Sequence, residues 1–237
     1  MRLIVVVYVL LFTQFLVAQR LTLESLDAQT SAVHKKIVAQ ALSYGDTQTA
    51  INSMYYIIAL EGAASTYKDS LAIAYFKQGN YLSSQLLSEE LLASKPDNLQ
   101  LLEINAASLQ NLGATKKAIV GYESLFAKTR NMTHGYKLAM LQYSLKRLME
   151  AQITIAQTLQ CEVVENAYLQ FPIDKYQNQN VPLKAAAYNL QGLIAFELKD
   201  NAGAKQAFEA ALKIMPEFTT ATQNANTTIV AIQNNTN

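Results

Sequence analysis

Few of the 237 residues are placed to do chemistry. Ser65 stands one helical turn before Lys68, a spacing at which a lysine amine can take the proton of a serine nucleophile. An acyl-transfer site of that kind needs further elements, and neither a Lys-Thr-Gly run nor a Ser-x-Asn follows. His34 and His134 lie far apart, and neither has an acid or a second imidazole at ligand spacing, so each reads as a surface or helix-end imidazole. Cys161 is the one cysteine; it can form no internal disulfide and reads as a small core residue. Glu89-Glu90 reads as a solvated helix edge. No glycine-rich phosphate fingerprint, no GxSxG elbow and no HExxH occurs. The expectation is therefore a non-enzyme, with no catalytic residue, no metal ligand and no cofactor.

Composition points to helices. Apolar residues make up 51% and charged residues 16%, too apolar for a disordered tail and too polar for a membrane bundle. Four prolines and eight glycines leave few breakers among abundant Ala, Leu and Gln. At the start, Met1-Arg2 precedes an apolar run from Leu3 to Val17, broken only by Thr13 and Gln14. That run is shorter than the ~20 residues of a spanning helix, and it reads as an export signal over residues 1–18, cut near Ala18 or Gln19. No cysteine follows for lipid attachment. An exported, periplasmic or cell-envelope protein of bacterial type is expected, with no integral membrane segment after cleavage. Loss of Arg2 takes the balance from 19 bases against 18 acids to 18 against 18, which gives no electrostatic footprint for nucleic acid.

The elements that would position any site follow from an internal period. Blocks of 34 residues begin at Ser31, Ser65 and Leu99, each with two apolar helices separated by a glycine turn. The turns are Gly45-Asp46, Gly79-Asn80 and Gly113-Ala114, and glycine suits a left-handed helix end. Small residues recur in the first helix at Val38, Ala72 and Ala106, and in the second at Ala50, Ser84 and Ala118, where paired helices should cross. Larger residues follow at Met54 and Tyr122, then Ile57, Leu91 and Leu125; Ser88 is a weak member of this series. A fourth block, Met132 to Glu165, is shifted by one residue and has Lys146-Arg147 in place of the glycine turn. A fifth runs from Ala185 to Phe218, with its turn at Asp200-Asn201.

That fifth block carries Tyr188, Gly192, Ala204, Phe208, Ala211 and Pro216, and with these the array resembles the tetratricopeptide repeat (TPR) family. None of the blocks has the tryptophan often found at the aromatic place. The resemblance implies an all-α fold: a right-handed superhelical stack of antiparallel helix pairs, about five repeats plus a C-terminal capping helix. The expected organisation is a signal peptide (1–18), a lead-in (19–30), four repeats (31–165), an insertion loop (166–184), the fifth repeat (185–218), and a capping helix with tail (219–237).

It also implies a protein-interaction scaffold that binds a peptide or a partner helix in the concave groove lined by the first helices. By repeat phase that face holds Lys35, Asp69, Phe76, Lys77, Glu103, Gln110, Tyr136, Tyr143, Asn189 and Phe196. TPR modules that capture a C-terminal carboxylate use a Lys and Asn pair in the first repeat; Lys35 stands at the Lys place, but Ala39 occupies the Asn place. The insertion, with Pro172, Pro182 and the run Gln177-Asn178-Gln179-Asn180, argues against continuous helix. Its Tyr168, Phe171 and Tyr176 pack on neighbouring helices or form a strap that binds a small molecule or glycan. The partner's identity and the oligomeric state are not written in the sequence.

Overall fold

The structure, a computed structural model, describes residues 2–163 and 165–235. Eleven α-helices follow in order among the described residues: α1 (Arg2–Ser43), α2 (Thr47–Glu61), α3 (Tyr67–Lys77), α4 (Tyr81–Ser94), α5 (Leu99–Asn111), α6 (Thr115–Thr129), α7 (Met132–Ser144), α8 (Leu148–Leu159), α9 (Leu183–Glu197), α10 (Asn201–Ile214) and α11 (Thr219–Asn235). Between α8 and α9 lie two strands, β1 (Tyr168–Pro172) and β2 (Asn178–Pro182). The first helix runs without a break through the expected signal and lead-in. Among the described residues no helix is long and apolar enough to cross a membrane.

One turn recurs five times. Each joins the first helix of a pair to the second through a residue with positive φ: Gly45 (74°), Gly79 (75°), Gly113 (72°), Lys146 (57°) and Lys199 (66°). The next N–H reaches back to a carbonyl five residues earlier: Asp46 to Ala41 at 2.8 Å, and Asn80 to Tyr75, Ala114 to Leu109, Arg147 to Gln142 and Asp200 to Ala195, each at 2.9 Å. A left-handed residue satisfies the orphan carbonyls of a helix end in this way and reverses the chain at once. In three turns the following residue also caps the second helix: Asp46 accepts from Thr49 N–H, Asn80 from Ser83 and Asp200 from Gly203. In the fifth block the left-handed residue is Lys199, one before the expected Asp200-Asn201.

The chain divides into two compact units, Met1–Ser108 and Leu109–Asn237. In the first, Val38 and Ala41 of α1 pack with Ala50, Met54 and Ile57 of α2 and Leu71 of α3. The Ser84 hydroxyl donates to the Ala72 carbonyl at 3.0 Å, so two helices touch where both side chains are small. In the second unit, Met132 and Tyr136 of α7, Ile155 of α8, Leu190 and Ile194 of α9 and Ala221 of α11 share a core with Val181 of β2 and with Phe218. A Cβ at Gly192 would fall 2.5 Å from the Phe208 ring, so only glycine admits that aromatic.

The strands pair antiparallel, with Leu169 opposite Val181 and Phe171 opposite Gln179. Their alternation turns Leu169, Phe171, Gln179 and Val181 inward and leaves Tyr168, Gln170, Asn178 and Asn180 exposed. Phe171 sets its ring edge-on to Phe218 at 5.0 Å. The buried Gln179 amide donates to the Glu217 carbonyl and accepts from Thr219 N–H, each at 3.1 Å, and so caps the start of α11.

The turn geometry sets a stability test. Nothing lies within 4 Å of a Cβ at Gly79, so Gly79→Ala is opposed by backbone strain alone and should destabilise by about 1–2 kcal/mol. Lys199→Gly relieves the same strain and should stabilise by about 1 kcal/mol. Thermal unfolding should move down for the first and up for the second, by roughly 2–4 °C per kcal/mol.

Candidate functional site

In the first unit the first-helix face is crossed by ion pairs. Lys35 Nζ lies 2.6 Å from Glu61 Oε1, and Lys95 Nζ lies 2.8 Å from Asp69 Oδ2. Glu61 also accepts from Ser31 at 3.0 Å and Ser65 at 2.7 Å. Its carboxyl is held below its ordinary value first by the Lys35 hydrogen bond, then by that of Ser65. Phe76 is half-buried, edge-on to Tyr81 at 5.5 Å, beside the exposed Lys77 at the end of α3. Glu103 is exposed on α5.

In the second unit Gln110 accepts the Tyr122 hydroxyl at 3.0 Å. Tyr143, half-buried at the end of α7, belongs to a cluster whose other members the sequence reading missed. Lys146 Nζ sits 5.5 Å above its ring and 2.8 Å from Glu197 Oε1. Burial first and the Glu197 charge second push the Tyr143 phenol up, while the Lys146 hydrogen bond holds the Glu197 carboxyl down. Phe196 lies next in sequence, packed on the group formed by Ala195, Ala204, Phe208 and Ala225. The cluster joins residues 51 apart in sequence, and the one local hint was a cation at the turn position.

Two expected groove residues are buried instead. Tyr136 is 8% exposed, inside the core that Val181 and Phe218 complete, and burial pushes its phenol up to about 12. Asn189 is 2% exposed and accepts from Asn224 of α11 at 2.9 Å. α11 covers Asn189, and the strand insertion helps to enclose Tyr136. The insertion's aromatics divide: strand alternation turns the half-buried Phe171 inward and Tyr168 outward, and Tyr176 is 85% exposed at the hairpin tip.

Other reactive groups are engaged elsewhere. Ser65 donates to Glu61, whereas Lys68 pairs with Glu90 at 2.7 Å, so serine and lysine turn to different carboxylates. His34 stacks on Tyr56 at 4.5 Å, and His134 Nδ1 lies 2.9 Å from the Thr129 hydroxyl. The Cys161 thiol contacts the Gln157 carbonyl at 3.4 Å, and burial raises its pKa. Among the described residues no three His, Cys, Asp or Glu side chains gather as metal ligands.

Open grooves run between the second helices of neighbouring pairs. One of about 350 Å³ lies between α2 and α4 over α3, one of about 330 Å³ between α6 and α8 over α7, and one of about 460 Å³ between α8 and α10 over α9. Exposed Tyr55, Leu86, Met149 and Ile153 stand on these second helices.

Paired helices and a left-handed turn within each pair define a helical-repeat protein, and the fold is that of the tetratricopeptide repeats. A tetratricopeptide repeat protein from Parabacteroides merdae ATCC 43184 superposes with a TM-score of 0.66 at 17% identity, over 88% of this chain and 75% of that one. MamA from Desulfovibrio magneticus RS-1, residues 41 to the end, gives 0.62 at 13%, over 80% and 97%. YrrB, described as a TPR protein with an unusual peptide-binding site, gives 0.64 at 16%, over 80% and 89%. No family model matches the sequence, and no curated protein does.

The Lys35–Glu61 pair can be checked by carboxyl NMR titration. Glu61 should titrate below 4.5, and Lys35→Met should move it up toward that value. Because the folded-state pKa is the lower one, the pair stabilises above the ordinary carboxyl value, and that stability is lost as pH falls through the depressed value. An unmoved Glu61 would remove Lys35 as the cause.

Proposed function

We propose that this chain is a non-enzymatic protein-interaction scaffold of the cell envelope, which binds a peptide or a partner helix on the faces of its first helices. The observation behind this reading is a set of side chains at the ends of first helices that the cores leave partly or wholly exposed. Phe76 and Lys77 end α3 in one unit, and Tyr143 and Phe196 end α7 and α9 in the other, beside charged partners on fixed helices. Flat aromatics on a rigid surface give contact area at low entropic cost, and flanking charges set orientation. YrrB, of the same fold, is described by its peptide-binding site, which favours the same class of partner here. The envelope location rests on the apolar stretch Leu3–Val17 behind Arg2.

A pull-down from envelope extracts tests this. Wild-type protein should retain a partner, and Phe76→Ala with Lys77→Ala, or Tyr143→Ala with Phe196→Ala, should reduce its recovery about tenfold, as expected for truncated hot spots. Equal recovery with both pairs of substitutions would remove the first-helix faces as the binding surface. Intact mass of exported protein should show a start near Ala18 or Gln19.

A further inference from the structure

The groove between α8 and α10 has a counterpart in the first unit, between α2 and α4, and the two are lined differently. Counting from the left-handed turn residues puts them in register. In the first unit Tyr55 and Tyr75 bond each other through their hydroxyls, and Lys68 bonds Glu90 at 2.7 Å. In the second unit Ala156 and Ala195 stand in the tyrosine places, and Tyr188 and Ala210 stand in place of the ion pair. With both phenols absent the groove is larger, about 460 Å³ against about 350 Å³. Its polarity changes too: Leu71 and Leu86 give way to Gln191 and Gln206, and Gln152 adds a third amide. Those amides come from α8, α9 and α10, so they reach the groove from both walls and the floor. Gln152, Tyr188 and Gln191 are half-buried and Gln206 is exposed, and all four line the open space. Among the described residues none of these four side chains hydrogen-bonds within the protein. The one charged residue in the lining, Asp200, already caps α10 by accepting from Gly203 at 2.9 Å. The groove therefore offers donors and acceptors in equal measure and no free charge.

We propose that this groove binds a neutral saccharide, with its hydroxyls on Gln152, Gln191 and Gln206 and a sugar ring against Tyr188. A hydroxyl both donates and accepts, and so does an amide, so each glutamine can take a pair of adjacent hydroxyls. A sugar ring carries hydroxyls around its rim and C–H groups on its faces. That distribution suits amides on three sides with a tyrosine and alanine methyls between them. An extended peptide fits less well. Its N–H and C=O groups lie along two edges of one line, and its side chains need pockets where the glutamines have replaced leucines. An ionic ligand would find no opposite charge, since no Lys or Arg lines the groove and Asp200 is engaged. A volume of about 460 Å³ lies within the range of small-ligand sites.

The side-chain NH2 signals of the three glutamines, followed by proton–nitrogen NMR on the full chain, read the groove directly. The probes are maltotriose, cellotriose, mannotriose and triacetylchitotriose, each titrated to about 10 mM, enough to fill most of a site of millimolar Kd. At least one should shift the signals of Gln152, Gln191 and Gln206 together and saturably. Gln191→Leu with Gln206→Leu gives the groove the first unit's leucines and should weaken that binding about tenfold. Ala156→Tyr refills the space as Tyr55 does and should weaken it at least as much. Both variants should keep the wild-type melting temperature, because the first unit holds those residues at the same places; this separates a lost site from a lost fold. The proposal fails if none of the four sugars shifts the three signals saturably, or if either variant, folded, binds as the wild type does. It also fails if blocked Ala-Gln-Ala-Asn-Ala saturates those signals at lower concentration than every sugar. The pull-down variants at Phe76, Lys77, Tyr143 and Phe196 read other residues, so the two proposals can fail separately.

Discussion

A backbone hydrogen bond across a left-handed turn is the constraint on which this structure depends. In each pair the N–H after the positive-φ residue bonds the carbonyl of Ala41, Tyr75, Leu109, Gln142 or Ala195, and that bond fixes where the second helix begins. With the turn set, the crossing point falls at the same residues each time, and small side chains must stand there. Ala72 and Ser84 meet this demand in the first unit, and Gly192 facing Phe208 meets it in the second. The period is thus a consequence of turn geometry, and the core composition follows from the period.

That arrangement separates two roles at one residue. The carbonyl at the turn-facing position is spent on the frame, while the side chain at the same position is free to vary along the second-helix grooves. It is Tyr75 in one groove, Gln142 in another and Ala195 in a third. A fold built this way can change what it binds without changing how it stands. The hairpin is the other source of individuality: through Gln179 it caps α11, and through Phe171 it packs on Phe218, so it serves as part of the second unit's core.

The repeat was legible because three turns contain glycine, whose left-handed preference shows in the sequence. The fourth and fifth turns use lysine in the same conformation, and no residue type announces a strained backbone. The insertion hid its strands for a related reason. Leu169, Phe171 and Val181 alternate properly, but Gln179, a polar residue, fills the fourth inward place because it bonds a helix start forty residues away in sequence. Phase placed Phe76, Lys77 and Tyr143 at accessible positions, yet could not foresee that the insertion's core would enclose Tyr136 or that Asn224 would meet Asn189.

The claim that one turn builds all five pairs is tested most directly by NMR on the assigned chain, measuring the coupling between amide and α protons together with backbone carbon shifts at the five turn positions. The account predicts left-handed φ at Lys146 and Lys199 as well as at Gly45, Gly79 and Gly113. A right-handed helical φ at Lys146 or Lys199 would contradict it, because the last two pairs would then be joined by a different device.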